Sequence, residues 1–156
     1  MNIGMIVYSR TGHTLSVAME LKEKLAAAGH AVNLERVEAS GPPRPGATNV
    51  PLKTRPEVDA YDALVFGAPV WGGTLASPMA SYLEQVPSLR GKKVACLVTH
   101  LFPPGWGGDR TIGQMKEICE SKGATVCGSG SVGWPRLGRR RKIAGIVEDL
   151  AACFGS

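Results

Sequence analysis

Short apolar runs rich in β-branched residues alternate with stretches of helical period along almost the whole chain, and this alternation restricts the fold more than any other feature. Ile3 to Tyr8, Ala31 to Val37, Ala63 to Ala68, Val94 to Thr99 and Ala124 to Val132 read as strands. Between them the spacing predicts a helix over about Leu15 to Ala28, with Val17, Ala18, Leu21, Leu25 and Ala28 on one face. Ser77-Pro78 reads as an N-cap and first-turn pair, followed by Met79, Tyr82, Leu83 and Val86 at helical spacing. A third helix from about Thr111 turns Ile112, Met115, Ile118 and Cys119 inward, and a last one buries Ile143, Ile146, Val147, Leu150, Ala151 and Phe154. The continuous apolar runs at Ala63 and Val94 suit strands covered on both faces, and right-handed crossovers then place helices on both sides of a parallel sheet. The expected fold is α/β: a three-layer, doubly wound, five-stranded parallel sheet, with residues 1–156 as one domain.

One helix is missing from the alternation. Pro42, Pro43, Pro45, Pro51 and Pro56 lie between the second and third strands, and proline both removes an amide donor and crowds the preceding turn. The second helix is therefore expected to be short or replaced by a Pro-rich loop.

Composition narrows the class. With 44% hydrophobic and 20% charged residues, the chain is neither disordered nor fibrous. No apolar run approaches the roughly 18 residues of a membrane span, and the first residues lack the charged start and cleavage site of a secretory signal. A cytoplasmic location is expected. Cys96, Cys119, Cys127 and Cys153 show no C-x-x-C pair and no histidine at ligand spacing, so they read as four reduced core thiols and no metal site is expected.

Ligands of open parallel sheets bind beyond the carboxyl ends of the strands, which directs attention to three loops. The first is Ser9-Arg10-Thr11-Gly12-His13-Thr14, leading into a helix N-terminus. Its hydroxyls and free backbone N–H groups suit a small anion held by the helix dipole, although the same residues also make an ordinary helix cap. No Lys follows the Gly, so the nucleotide-binding P-loop pattern is absent, and one glycine does not wrap a pyrophosphate. A terminal monophosphate fits better. The second loop, Gly67-Ala68-Pro69-Val70-Trp71-Gly72-Gly73-Thr74, offers an aromatic plane beside two glycines. The third, Thr99-His100-Leu101 through Trp106-Gly107-Gly108, repeats that mixture, with Trp106 or Phe102 available to cover a second face of a flat ligand.

Taken together, Tyr8-Ser9-Arg10-Thr11-Gly12-His13-Thr14 and Gly67-Ala68-Pro69-Val70-Trp71-Gly72-Gly73 resemble the flavodoxin-like FMN proteins, the superfamily of flavodoxins and NAD(P)H:quinone reductases. The resemblance covers nearly the whole chain in element order and implies strand order 2-1-3-4-5. It implies an FMN phosphate held by Ser9, Arg10, Thr11, Gly12, His13 and Thr14. It further implies an isoalloxazine resting on Trp71, with Pro69, Val70, Gly72, Gly73, Thr99, His100 and Leu101 near its edge, and Trp106 and Gly107 on the outer side. The flavin would carry out the redox chemistry, and no side-chain nucleophile is required. The function so implied is electron transfer through FMN to a redox partner protein or small-molecule acceptor. The alternative is an NAD(P)H-dependent FMN or quinone reductase that passes a hydride to the flavin. A monomer or homodimer would serve either.

Two further signals are weighed and set aside. Gly128-Ser129-Gly130-Ser131-Val132-Gly133 has the G-x-G-x-x-G spacing, but Trp134-Pro135 follows where a helix should open, so a Gly-rich last strand is expected. Residues 136–156 carry five bases and two acids, including Arg139 to Lys142, in a chain of net charge +5. Without interleaved aromatics this run reads as a solvated face, not a nucleic-acid platform.

Overall fold

The computed structural model describes residues 1–42, 49–101, 108–133 and 139–155. Its elements in chain order are β1 (Asn2–Val7), α1 (His13–Ala27), β2 (Ala31–Arg36), β3 (Glu38–Ala39), β4 (Leu52–Thr54), β5 (Ala63–Trp71), β6 (Thr74–Leu75), α2 (Ser77–Gln85), β7 (Lys93–His100), α3 (Gly108–Ser121), β8 (Thr125–Gly133) and α4 (Arg139–Cys153). The main sheet runs β2-β1-β5-β7-β8, all parallel. This is the expected 2-1-3-4-5 order, with the reversal between β1 and β5.

Each face of the sheet buries its own core. Phe66, Leu64, Cys96 and Val98 meet Met79, Leu83, Met115 and Cys119 of α2 and α3 on one side. Met5, Val65 and Leu97 meet Leu21, Leu25, Val147 and Leu150 of α1 and α4 on the other. β1, β5 and β7 are buried almost throughout, as strands covered twice must be. The helical faces read from the sequence are those packed inward, with one exception: Ala28 is exposed, because α1 ends at Ala27.

Several local expectations change. Ser77 does not cap α2: Ala76 stands at the cap position without a side-chain hydrogen bond, and Ser77 is already helical. The Pro-rich connection forms no helix among its described residues, but it is more ordered than a plain loop. β3 and β4 pair antiparallel, and Thr54 Oγ1 donates to Arg36 O at 2.7 Å while accepting from Glu38 N–H at 2.9 Å. Pro43 and Pro45 lie outside the described residues. Gly128 to Gly133 lie within β8, as expected of a Gly-rich strand. A Cβ on Gly130 would stand 2.4 Å from Ile146 Cγ2, so the missing side chain lets α4 approach the sheet.

The cysteines depart furthest from expectation. Cys96 and Cys119 are free and buried, but Cys127 and Cys153 form a disulfide across 26 residues. A bulge explains the pairing. Val94 faces Val126 and Ala95 faces Gly128, so Cys127 is the extra residue in β8. A bulge of this kind turns neighbouring side chains to one side. The disulfide and the close approach of Gly128 to Cys153 Sγ (3.2 Å from an ideal Cβ) both lie on the α4 side. Among the described residues no helix is long and apolar enough to cross a membrane.

Candidate functional site

The reversal of strand order between β1 and β5 opens a crevice at the carboxyl edge of the sheet, and the predicted loops converge there. Ser9, Arg10, Thr11, His13, Thr14, Pro69, Val70, Trp71, Thr99, His100 and Leu101 line one cleft of about 80 Å³. Gly12 lies in the same turn, and Gly72 and Gly73 lie just past Trp71. Trp106 and Gly107, together with Phe102, fall outside the described residues. A larger hollow of about 280 Å³ lies at the far end of α2, lined by Arg55, Pro56, Tyr82 and Val86 among others. It contains none of the residues expected from the sequence to hold a ligand.

The first loop is a tight turn that leads directly into the start of α1. Gly12 takes φ 91°, a conformation costly for other residues, and forms the N-cap of α1. Ser9 is buried, and its Oγ accepts from the backbone N–H groups of Gly12 (3.1 Å) and Leu15 (3.3 Å). The N–H groups of Thr11 and Thr14 have no acceptor among the described residues, so they remain available at the positive end of the helix. Thr14 turns its hydroxyl to Thr99, at 2.7 Å in the buried floor of the cleft. That bond ties the first loop to the end of β7.

Trp71 sits at the end of β5, not in a loop as the sequence suggested. Gly72 and Gly73, at φ 58° and 78°, make a two-residue turn that returns the chain along β6, with Trp71 opposite Thr74. Tyr8 meets Trp71 edge to face, with ring centroids 5.4 Å apart, and the Arg10 guanidinium lies 5.9 Å from the indole centroid. Burial pushes the Tyr8 phenol above its usual value, while Arg10 and Arg36 pull it back.

Two residues at the site escaped the sequence reading. Arg36 donates from Nη2 to Ser9 O at 2.9 Å, bracing the first loop from the neighbouring strand. A charged residue ending the strand next to β1 was the available signal. Gln114 of α3 contacts the β5–β6 turn, and nothing in its spacing distinguishes it from other helical polar residues.

Comparison with known proteins agrees with this fold. The profile of the family described as NADPH-dependent FMN reductase matches residues 1–137. An NAD(P)H dehydrogenase (quinone) of Gluconacetobacter diazotrophicus is 32% identical over 92 residues, 54% of this chain and 46% of that protein. The chain thus spans about half the length of the quinone dehydrogenases with which it aligns. The flavodoxin of Megasphaera elsdenii is 28% identical over 135 residues, covering 83% of this chain and 85% of its own. In three dimensions the chain is similar to oxidised flavodoxin 1 of Bacillus cereus, with TM-score 0.73, 18% identity, and coverage of 99% and 97% of the two chains. It is also similar to a flavoprotein solved in complex with FMN from Lactobacillus acidophilus, with TM-score 0.64, 19% identity, and coverage of 93% and 97%.

Proposed function

The chain belongs to the NADPH-dependent FMN reductase family, and from that premise we propose that its three-loop cleft holds FMN and passes electrons from it to a partner or small acceptor. FMN is the cofactor of this flavodoxin-like family, and when bound it supplies the redox chemistry. The residues present fit it. The N–H groups of Thr11 and Thr14, the Ser9 hydroxyl and the α1 dipole suit a terminal phosphate, and a few charge-assisted hydrogen bonds of about 1.5–3 kcal/mol each give micromolar binding. Trp71 offers a planar surface fixed by Tyr8 and Arg10. Thr99 and the exposed Leu101 border the same cleft. At about 80 Å³ the cleft is far smaller than the roughly 300 Å³ where small-molecule pockets begin. The phosphate is seated deeply in this reading, and much of the flat ring stays at the surface, where a partner can reach it.

The carrying observation is the convergence of Ser9 to Thr14, Pro69 to Trp71 and Thr99 to Leu101 on one cleft. Arg10, Arg110, Arg140, Arg141 and Lys142 are exposed at the carboxyl edge of the sheet or on the helices that start there. A positive edge favours an acidic redox partner, and it equally favours the 2′-phosphate of NADPH. The family description supports the second reading, in which NADPH reduces the bound flavin directly and a quinone accepts the electrons. A cytoplasmic location, and residues 1–156 acting as one unit, belong to the same proposal.

The test begins with the purified protein. Yellow colour, with FMN released on denaturation, supports the cofactor reading; a colourless protein that gives no heat with added FMN overturns it. Rapid NADPH oxidation coupled to quinone then selects the reductase. Electron exchange with an acidic protein acceptor, slowed by salt and without NADPH turnover, selects the carrier.

A further inference from the structure

The turn at Gly72-Gly73 has little to hold it. Its outer arm, β6, is two residues long, and so short a pairing is marginal in water. On the inner side Val70 pairs with Leu75, Trp71 pairs with Thr74, and Ala76 N–H donates to Pro69 O at 3.1 Å. The outer side is anchored from elsewhere in the fold. Gln114, in the middle of α3, accepts two hydrogen bonds on one oxygen: from Thr74 Oγ1 at 3.0 Å and from Leu75 N–H at 3.1 Å. A backbone N–H can only donate, so the Leu75 contact fixes which end of the amide faces the turn.

We propose that Gln114 is a positioning residue for the cofactor-facing turn: by fixing the outer arm, it sets where the Gly72-Gly73 peptide lies against the edge of the flavin. This rests on the cleft reading given above. Support of α3 on the sheet does not require Gln114, because Thr111, Met115 and Cys119 supply the fully buried side chains there. Two consecutive residues at positive φ let the turn move as a unit about its ends. The position of those ends is then what a potential measurement reads. Thr74 and Leu75 are those ends on the outer arm, and both bond to Gln114.

The experiment uses FMN-loaded protein and three variants. Gln114→Met keeps length without a strong acceptor, Thr74→Val removes one donor at nearly constant shape, and Thr74→Ser retains the hydroxyl. Equilibrium redox titration is read beside the melting temperature of the apoprotein. Gln114→Met is expected to change the ratio of oxidised-to-reduced FMN affinities about tenfold, a shift of about 59 mV for one electron. Thr74→Val should move it in the same direction by less, and Thr74→Ser should stay within about twofold of the parent protein. Unchanged potentials in both Gln114→Met and Thr74→Val, with only the melting temperature lowered, overturn the proposal. If Gln114→Met does not fold, Thr74→Val against Thr74→Ser decides alone. Trp71→Ala and Gly73→Ala separate the two layers of argument. If neither changes FMN affinity or potential, the cleft reading itself has failed. If both do while Gln114→Met does not, only the role of Gln114 falls.

Discussion

Ser9 and Thr11 stand two residues apart and would contribute differently to the proposed phosphate site. Ser9 is buried and already bonded to the turn it begins, so its removal disturbs the loop itself. Thr11 is exposed, and no structural hydrogen bond of its side chain is seen among the described residues. Thr11→Ala should therefore weaken FMN binding by about 1–2 kcal/mol, one lost phosphate hydrogen bond, and leave apoprotein stability unchanged. Calorimetric titration and a thermal melt on the same sample check both halves. Trp71→Ala should weaken binding and alter flavin fluorescence, since the indole is held edge-on by Tyr8 and capped by Arg10. Among the described residues, the loops that line the cleft could be read from sequence, because ligands of open parallel sheets bind beyond the strand ends. The pairings could not: Thr14 with Thr99, Arg36 with Ser9 and Gln114 with Leu75 each join segments at least 27 residues apart, and no local pattern encodes such contacts.

Among the elements, β8 and α4 are joined by a covalent bond. The disulfide from Cys127 to Cys153 closes a loop of 26 residues, and constraining the unfolded chain to that extent is worth about 3 kcal/mol. Cys127→Ser should lose about that much in denaturant unfolding, and a thiol reductant should lower the parent protein's melting temperature while leaving the variant's unchanged. Element order and helix faces followed from periodicity, because apolar spacing and burial share one cause. The bulge did not, since one inserted residue leaves composition intact while changing which side its neighbours face. For the same reason the hairpin at Gly72-Gly73 read as loop: its strand pairing is too short to show a period of two.

For the whole molecule, the tyrosines set an alkaline limit. Burial raises the Tyr8, Tyr61 and Tyr82 phenols above the ordinary value of about 10. Tyr61 also donates to Glu35 Oε2 at 2.5 Å, and Tyr82 donates to Pro56 O. The folded protein holds these protons more tightly than the unfolded chain. Their stabilisation is therefore full below pH 10 and is lost as pH rises through the raised values. Denaturation midpoints should fall above about pH 10, with phenolate absorbance appearing as the protein unfolds; phenolate formation with the fold intact would contradict this. The parallel architecture was legible because only covered strands carry such long apolar runs. The β3–β4 pair was not, since prolines exclude a helix without specifying what replaces it.

The kinked margin at Cys127 bears on how the molecule behaves in a crowd. A straight outermost strand presents a regular row of amides and carbonyls on which a second polypeptide can crystallise a cross-β stack. Here the row is broken one residue after Val126 and pinned to the last helix, so the β8 edge of the sheet is a poor template for fibrillar growth.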